Sequence, residues 1–190
     1  SYKLLKQSFA SFLSLFLSAS PLSFEAKPIN ESSVKDQYLR EWKEVSNMKG
    51  NCKACFPRTP HHIEQNMPSH LDNQTIAYDV YVADAQKKSV FMVLVATYPD
   101  KIIKERVVHN LEHFLNTIIN QNPTTRLVFA DLVDVNGYQG MDFFLRNNEV
   151  YFKGRAVIRN NTFYLMAMEC ETQNYQDSYY QFFIDSFELN

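Results

Sequence analysis

Arg126-Leu-Val-Phe-Ala-Asp-Leu-Val-Asp-Val135, Tyr138-Gln-Gly-Met-Asp-Phe-Phe-Leu-Arg146, Glu149-Val-Tyr-Phe-Lys-Gly-Arg-Ala-Val-Ile-Arg159 and Thr162-Phe-Tyr-Leu-Met-Ala-Met-Glu-Cys-Glu171 decide the fold. These runs are rich in β-branched and aromatic residues, and Asn136-Gly137, Asn147-Asn148 and Asn160-Asn161 separate them. Asn and Gly tolerate the positive φ angles that tight hairpins demand. Three such pairs at regular intervals predict an antiparallel meander of four strands over 126–171. In the third run Val150, Phe152, Gly154, Ala156 and Ile158 share one face, opposite Glu149, Lys153, Arg155 and Arg159. That strand therefore has a side that is wet or covered by polar structure.

Upstream, Ile76, Tyr78, Val80 and Val82 alternate with Ala77, Asp79 and Tyr81, a strand with one strongly apolar face. Val90–Tyr98 is a nearly unbroken apolar run, suited to a central strand covered on both sides, and Gln86-Lys87-Lys88 is the turn between the two. Pro99-Asp100 then predicts a helix start with Asp100 as N-cap. Ile103, Val107, Val108, Leu111, Phe114, Leu115, Ile118 and Ile119 recur at helical spacing before Asn120-Gln-Asn-Pro123 stops the run. A last helix is expected from Asn174 to Leu189, with Tyr175, Tyr179, Phe182, Phe183 and Phe187 on one flank. Residues 27–50 read as a polar lead-in with a short helix around Val34–Val45. Together these predict one α+β domain over 51–190, an antiparallel sheet of about six strands flanked by helices as an α/β/α layered structure.

The first 26 residues have a different character. Lys3 and Lys6 precede the apolar, serine-broken run Ser8–Ser20, which Pro21 ends. That order is the order of a secretory signal, and the run is shorter than the roughly 20 apolar residues of a membrane span. The expectation is export, with an amphipathic or buried N-terminal helix and an uncleaved N-terminal anchor as the alternatives. Three cysteines, Cys52, Cys55 and Cys170, are expected as buried thiols or as one disulfide joining Cys170 to either partner. Cys-Lys-Ala-Cys-Phe-Pro reads as an extended segment, not the helix start a redox CxxC requires. A net charge of −2 without clustered Lys or Arg excludes nucleic acid as the natural partner. With 4 Gly the chain also lacks the phosphate-binding loops GxGxxG and GxxxxGK[ST], so no nucleotide cofactor is expected.

Trp42, then Phe56-Pro57-x-x-Pro60 at the first strand, the hairpin over 75–98, the helix after Pro99, the meander and Phe183-x-x-Ser186-Phe187 follow one another over 42–190. In that order the chain resembles the PsbP-like fold family: the photosystem II extrinsic protein, its exported bacterial relatives and the Ran-binding import factor of the same fold. The resemblance implies a non-catalytic binding or assembly role with protein partners at the cell envelope or in the periplasm, and it implies no catalytic residue. The metal-site pattern expected of a photosystem subunit is lacking, so that particular role is not implied.

One constellation carries possible chemistry. His109-Asn-Leu-Glu112-His113 is an HxxEH sequence on a predicted helix, in which two histidines one turn apart bind zinc and the glutamate activates water. It makes a zinc-dependent hydrolase the alternative function. Against it, His109 and His113 share a face with Asn116 and Asn120, and no matching downstream motif accompanies Glu169, Glu171 or Glu188. A polar helix face is the simpler reading, and no metal or cofactor is assigned. His61, His62 and His70 lie in a Pro-rich connecting stretch; together they could bind a metal adventitiously, and the stretch is read as a loop. Ser186 has no nucleophile elbow around it. The Tyr175/Tyr179/Tyr180/Phe182/Phe183 cluster is read as covering a sheet, although an aromatic-rich interior also suits a carrier of a small apolar ligand. Asn30, Asn73 and Asn160 open glycosylation sequons.

Overall fold

In the meander the alternation seen in the sequence becomes a register, shown by a computed structural model that describes residues 38–68 and 74–190. β6 (Thr125–Val135), β7 (Tyr138–Asn147), β8 (Val150–Arg159) and β9 (Thr162–Glu171) pair successively and antiparallel. Asn136, Asn148 and Asn160 take positive φ at 53°, 51° and 55°, and Gly137 follows at 86°. The middle turn is displaced by one residue, because Asn147 pairs with Val150 and leaves Asn148-Glu149 as the loop.

β4 (Thr75–Ala85) and β5 (Ser89–Thr97) form the expected hairpin, and β5 pairs with β9. The outcome is a seven-stranded sheet in the order β3-β4-β5-β9-β8-β7-β6. The seventh strand, β3 (His61–Pro68), lies where the sequence reading has a loop. Its polar residues alternate with half-buried Ile63, Gln65 and Met67, and main-chain pairing to β4 outweighs its weak strand composition.

A helix packs on one face of this sheet. α1 (Val107–Asn120) presses Val107, Leu111, Leu115 and Ile118 onto Met141, Phe143, Leu145, Phe152 and Leu165. It begins later than predicted, after a 3₁₀ turn at Lys104–Arg106, and Asp100 does not cap it. Tyr98 N–H and Ile102 N–H are tied to the carbonyls of Asn161 and Asn160, so the chain first crosses the β8–β9 turn.

The other face is covered by α2 (Asp177–Ser186) and a second, three-stranded sheet, ordered β1-β2-β10. This sheet comprises β1 (Lys43–Met48), β2 (Cys52–Phe56) and β10 (Glu188–Leu189). It corrects two expectations. Within the predicted helix at 34–45 only 38–40 are helical among the described residues, and Lys43 onward is strand. The last helix is shorter than 174–189, because Phe187 turns extended and Glu188–Leu189 pair with Lys53 and Cys52. Arg159 fastens the two sheets, its guanidinium donating to the carbonyls of Gly50, Asn51 and Asn190. Phe56, Phe91, Phe183, Tyr164 and Met166 fill the space between.

Cys52, Cys55 and Cys170 are free thiols, which decides between the two readings left open. Burial pushes the Cys52 and Cys170 thiols up to about 12, where thiolate is scarce and reactivity low. The proposed leader at 1–26, His70, Asn30 and Asn73 lie outside the described residues.

Candidate functional site: an apolar edge strand

Among the described residues β6 is the outermost strand of the large sheet, so one row of its peptide groups has no strand partner there. Its sequence does not suit that position. Leu127, Val128, Phe129 and Leu132 are 50%, 55%, 37% and 51% exposed, and they make up four of the five large exposed hydrophobics among the described residues. Edge strands are usually blunted with charge, Pro or brevity. β6 has 11 residues and no Pro, and its exposed charges, Arg126, Asp131 and Asp134, leave the apolar positions between them uncovered.

Register explains why apolar groups reach both sides. Leu127 pairs with Leu145 and Leu132 with Met141, which places them on the α1 face, while Phe129 pairs with Phe144 on the α2 face. The register shifts between Leu127 and Phe129, so Val128 is an extra, bulged residue. Phe129–Val135 is then the regular stretch available for pairing.

Behind Phe129 stands an aromatic group. The Phe144 ring lies 5.9 Å from Phe129, 4.9 Å from Tyr151 and 5.8 Å from Tyr175. Lys153 threads this group, its ammonium 4.4 Å from the Tyr180 ring centre and 5.0 Å from that of Phe144. It also donates to the Tyr175 hydroxyl at 3.0 Å and pairs with Asp177 at 3.3 Å. The Tyr175 hydroxyl donates to Asp177, which holds that carboxyl below its ordinary value, with help from Lys153. Beside them Arg155 grips Asp142 with two hydrogen bonds, of 2.6 and 3.0 Å. The polar side foreseen for β8 is thus covered by a charged and aromatic layer that holds the edge rigid from behind.

The other candidates fall elsewhere. His109, Glu112 and His113 are all exposed on α1, and no third ligand gathers near them among the described residues. Ser186 Oγ donates to the Phe183 carbonyl at 2.7 Å and accepts from Cys55 N–H at 2.8 Å, a helix-end contact that joins α2 to β2. Tyr179, Tyr180 and Phe183 are buried against the sheet as expected of a covering stripe, with Tyr175 and Phe182 half-buried at its margin. His62 is brought beside Glu64 and Asp79 by the β3–β4 pairing, which a loop reading could not foresee. Glu169 is 2% exposed, and neither carboxyl oxygen has a hydrogen-bond partner among the described residues. Burial raises its pKa well above the usual carboxylate range.

Two surface hollows of about 330 and 410 Å³ are open and shallow. Polar Asn51, Arg159, Asn160 and Asn161 are among the residues lining the first, and Leu39, Arg40, Trp42 and Phe182 line the second. Neither is an enclosed apolar cavity of the kind a ligand carrier needs.

The sequence offered a signal for β6 that periodicity alone does not decode. Leu127-Val128-Phe129 is a continuous apolar run at the start of a meander, as a doubly covered strand would be. Only the strand order shows that no described strand lies outside it.

The fold defined by these sheets and helices is PsbP-like. The chain is similar to cyanobacterial PsbP from Synechocystis sp. PCC 6803 at a TM-score of 0.55 and 12% identity, over 78% of this chain and 92% of that one. A protein of unknown function from Pseudomonas aeruginosa aligns at a TM-score of 0.41 and 9% identity, over 64% of this chain and 92% of that one. No family model matches the sequence, and neither does any curated protein. No helix of the described residues is long and apolar enough to cross a membrane.

Proposed function

We propose that this chain is a non-catalytic binding or assembly subunit of the cell envelope, and that it takes up an extended segment of a protein partner along β6. The single observation that carries the reading is β6 itself: an unpaired main-chain edge with Leu132 on one face and Phe129 on the other. Strand addition uses both features, main-chain hydrogen bonds for affinity and alternate side chains for choice of partner. The rigid layer around Lys153 supports it, since a preorganised edge has less entropy to lose on binding. Export is part of the proposal and is supported by Lys3, Lys6 and the apolar run that follows them.

A photo-cross-linking residue placed at Leu132 of the full chain in its native cells tests this. The expected result is one protein adduct from Leu132 and none from Ile63 on the opposite edge, with the adduct lost in Leu132→Glu cells when the cross-linker is moved to Phe129. Equal adducts from both edges, or an adduct consisting only of a second copy of this chain, would overturn it.

A further inference from the structure

We infer that His62, Glu64 and Asp79 form a binding site for one divalent transition-metal ion of the zinc class. The site arises from the β3–β4 pairing. Side chains two apart on a strand share a face, so His62 and Glu64 project together from β3. Across the ladder Tyr81 lies opposite His62, and Asp79 lies opposite Glu64.

Two carboxylates directly opposite each other on one face repel. Among the described residues the His62 imidazole is the sole ion-pair partner of either. Its Nε2 stands 2.8 Å from Asp79 Oδ1 and 3.8 Å from Glu64 Oε1. The second distance is too long for a hydrogen bond and suits two ligands of one ion. Tetrahedral bonds of zinc to nitrogen and oxygen place ligand atoms about 3.4 Å apart. One ligand atom from each of the three residues already lies within 4.8 Å of the others.

The surroundings hold the donors for that task. The His62 ring stacks on Tyr81 at 4.2 Å and 12°, and the Tyr81 hydroxyl accepts from Lys49 N–H at 2.9 Å, so the ring plane is set from below. Asp79 is 7% exposed, whereas the Glu64 side chain is 67% exposed. A buried carboxylate thus fixes one position, and the solvent side leaves a fourth open to water. One imidazole with two carboxylates suits zinc or a neighbouring first-row ion better than calcium, which takes oxygen ligands in greater number. No cysteine joins a group of three ligands among the described residues, so the thiols offer no rival site there.

The test is titration of the chelator-treated full chain with Zn²⁺ by calorimetry, followed by Co²⁺ for its visible absorption. One equivalent is expected, with tetrahedral Co²⁺ bands and displacement of the His62 ring resonances in NMR. His62→Gln and Glu64→Gln should each weaken binding by more than the roughly 10–100-fold that follows loss of an outer-shell partner. Glu64 is exposed, so its variant folds even where one at buried Asp79 does not. A double His109→Gln, His113→Gln variant should bind as the parent does. No Zn²⁺ binding, unchanged affinity in both single variants, or loss of binding in the α1 double variant would overturn the assignment.

Discussion

Among the described residues β3 and β6 each present an unpaired row of peptide groups at opposite ends of one sheet, yet they differ in the chemistry they expose. β3 exposes His61, His62, Glu64 and Asn66, and it closes on Pro68. Charge and proline are the usual protections against unwanted strand pairing. β6 carries exposed Arg126, Asp131 and Asp134 and a bulge at Val128, yet it also exposes Leu127, Val128, Phe129 and Leu132. Within a single sheet one edge is mainly polar, and the other sets large apolar side chains among its charges. Solvation cannot account for the difference, since both edges face the same water. The proposed use of β6 would account for it, because an apolar edge otherwise carries only an aggregation hazard.

The largest effect is expected beneath β6, not on it. Phe143, fully buried in β7, touches the α1 side of the sheet, and Phe143→Ala should cost about 3–5 kcal/mol in urea unfolding. A cost below 1 kcal/mol would mean that the β6 end lacks a packed core, and its exposed side chains would then reflect loose structure.

On the β3 side, Zn²⁺ at a hundredfold its dissociation constant should stabilise the full chain by about 2.7 kcal/mol, and His62→Gln should abolish the gain. Equal stabilisation of parent and variant would place the ion elsewhere.

Between the edges, Glu169 on β9 tests whether the interior also contains a feature that works against stability. Its folded pKa is raised by burial above the ordinary value of 4.5. The favourable contribution of its proton is therefore complete below that value and is lost as pH rises through the folded pKa. Glu169→Gln removes this dependence, so the variant should gain on the parent with rising pH. The gain should grow as pH rises above about 4.5, by about 1.4 kcal/mol for each pH unit until the folded pKa is passed. A stability difference independent of pH would show that the carboxyl does not titrate as a buried group.

The smallest effects on stability are expected at the edges themselves. Leu132→Glu and Ile63→Glu should each stay within about 0.5 kcal/mol of the parent in thermal unfolding. Their effect on the partner should differ: Leu132→Glu releases it and Ile63→Glu retains it. Loss of the partner with both would end the distinction between the two strands.

The meander was legible because turn chemistry is local. Asn136, Asn148 and Asn160 adopt the positive φ that their residue type favours, wherever the strands go afterwards. The β4–β5 hairpin and the apolar face of α1 were legible for the same kind of reason, since a period of 2 or 3.6 is written into consecutive residues. β1, β3 and β10 were not. Lys43–Met48 and His61–Pro68 have little strand propensity, and Glu188–Leu189 is too short to have any pattern. Each is a strand because a partner lies beside it, and the partner is distant in sequence. The candidate site was missed for a related reason: Leu127-Val128-Phe129 looks like buried strand until the strand order leaves it outermost.

By itself, then, the sequence determined the α+β class, the positions of the hairpin turns and which face of each strand and helix is apolar, because these depend on neighbours within a few residues. Tertiary structure decided which strands lie at the edges, that Lys53 pairs with Glu188, and that Arg159 ties the two sheets together. It also decided that His62 meets Asp79 across the ladder while the HxxEH residues of α1 stay in water. Such meetings depend on strand order and register. Order and register are set by the packing of the whole chain, which no local stretch encodes.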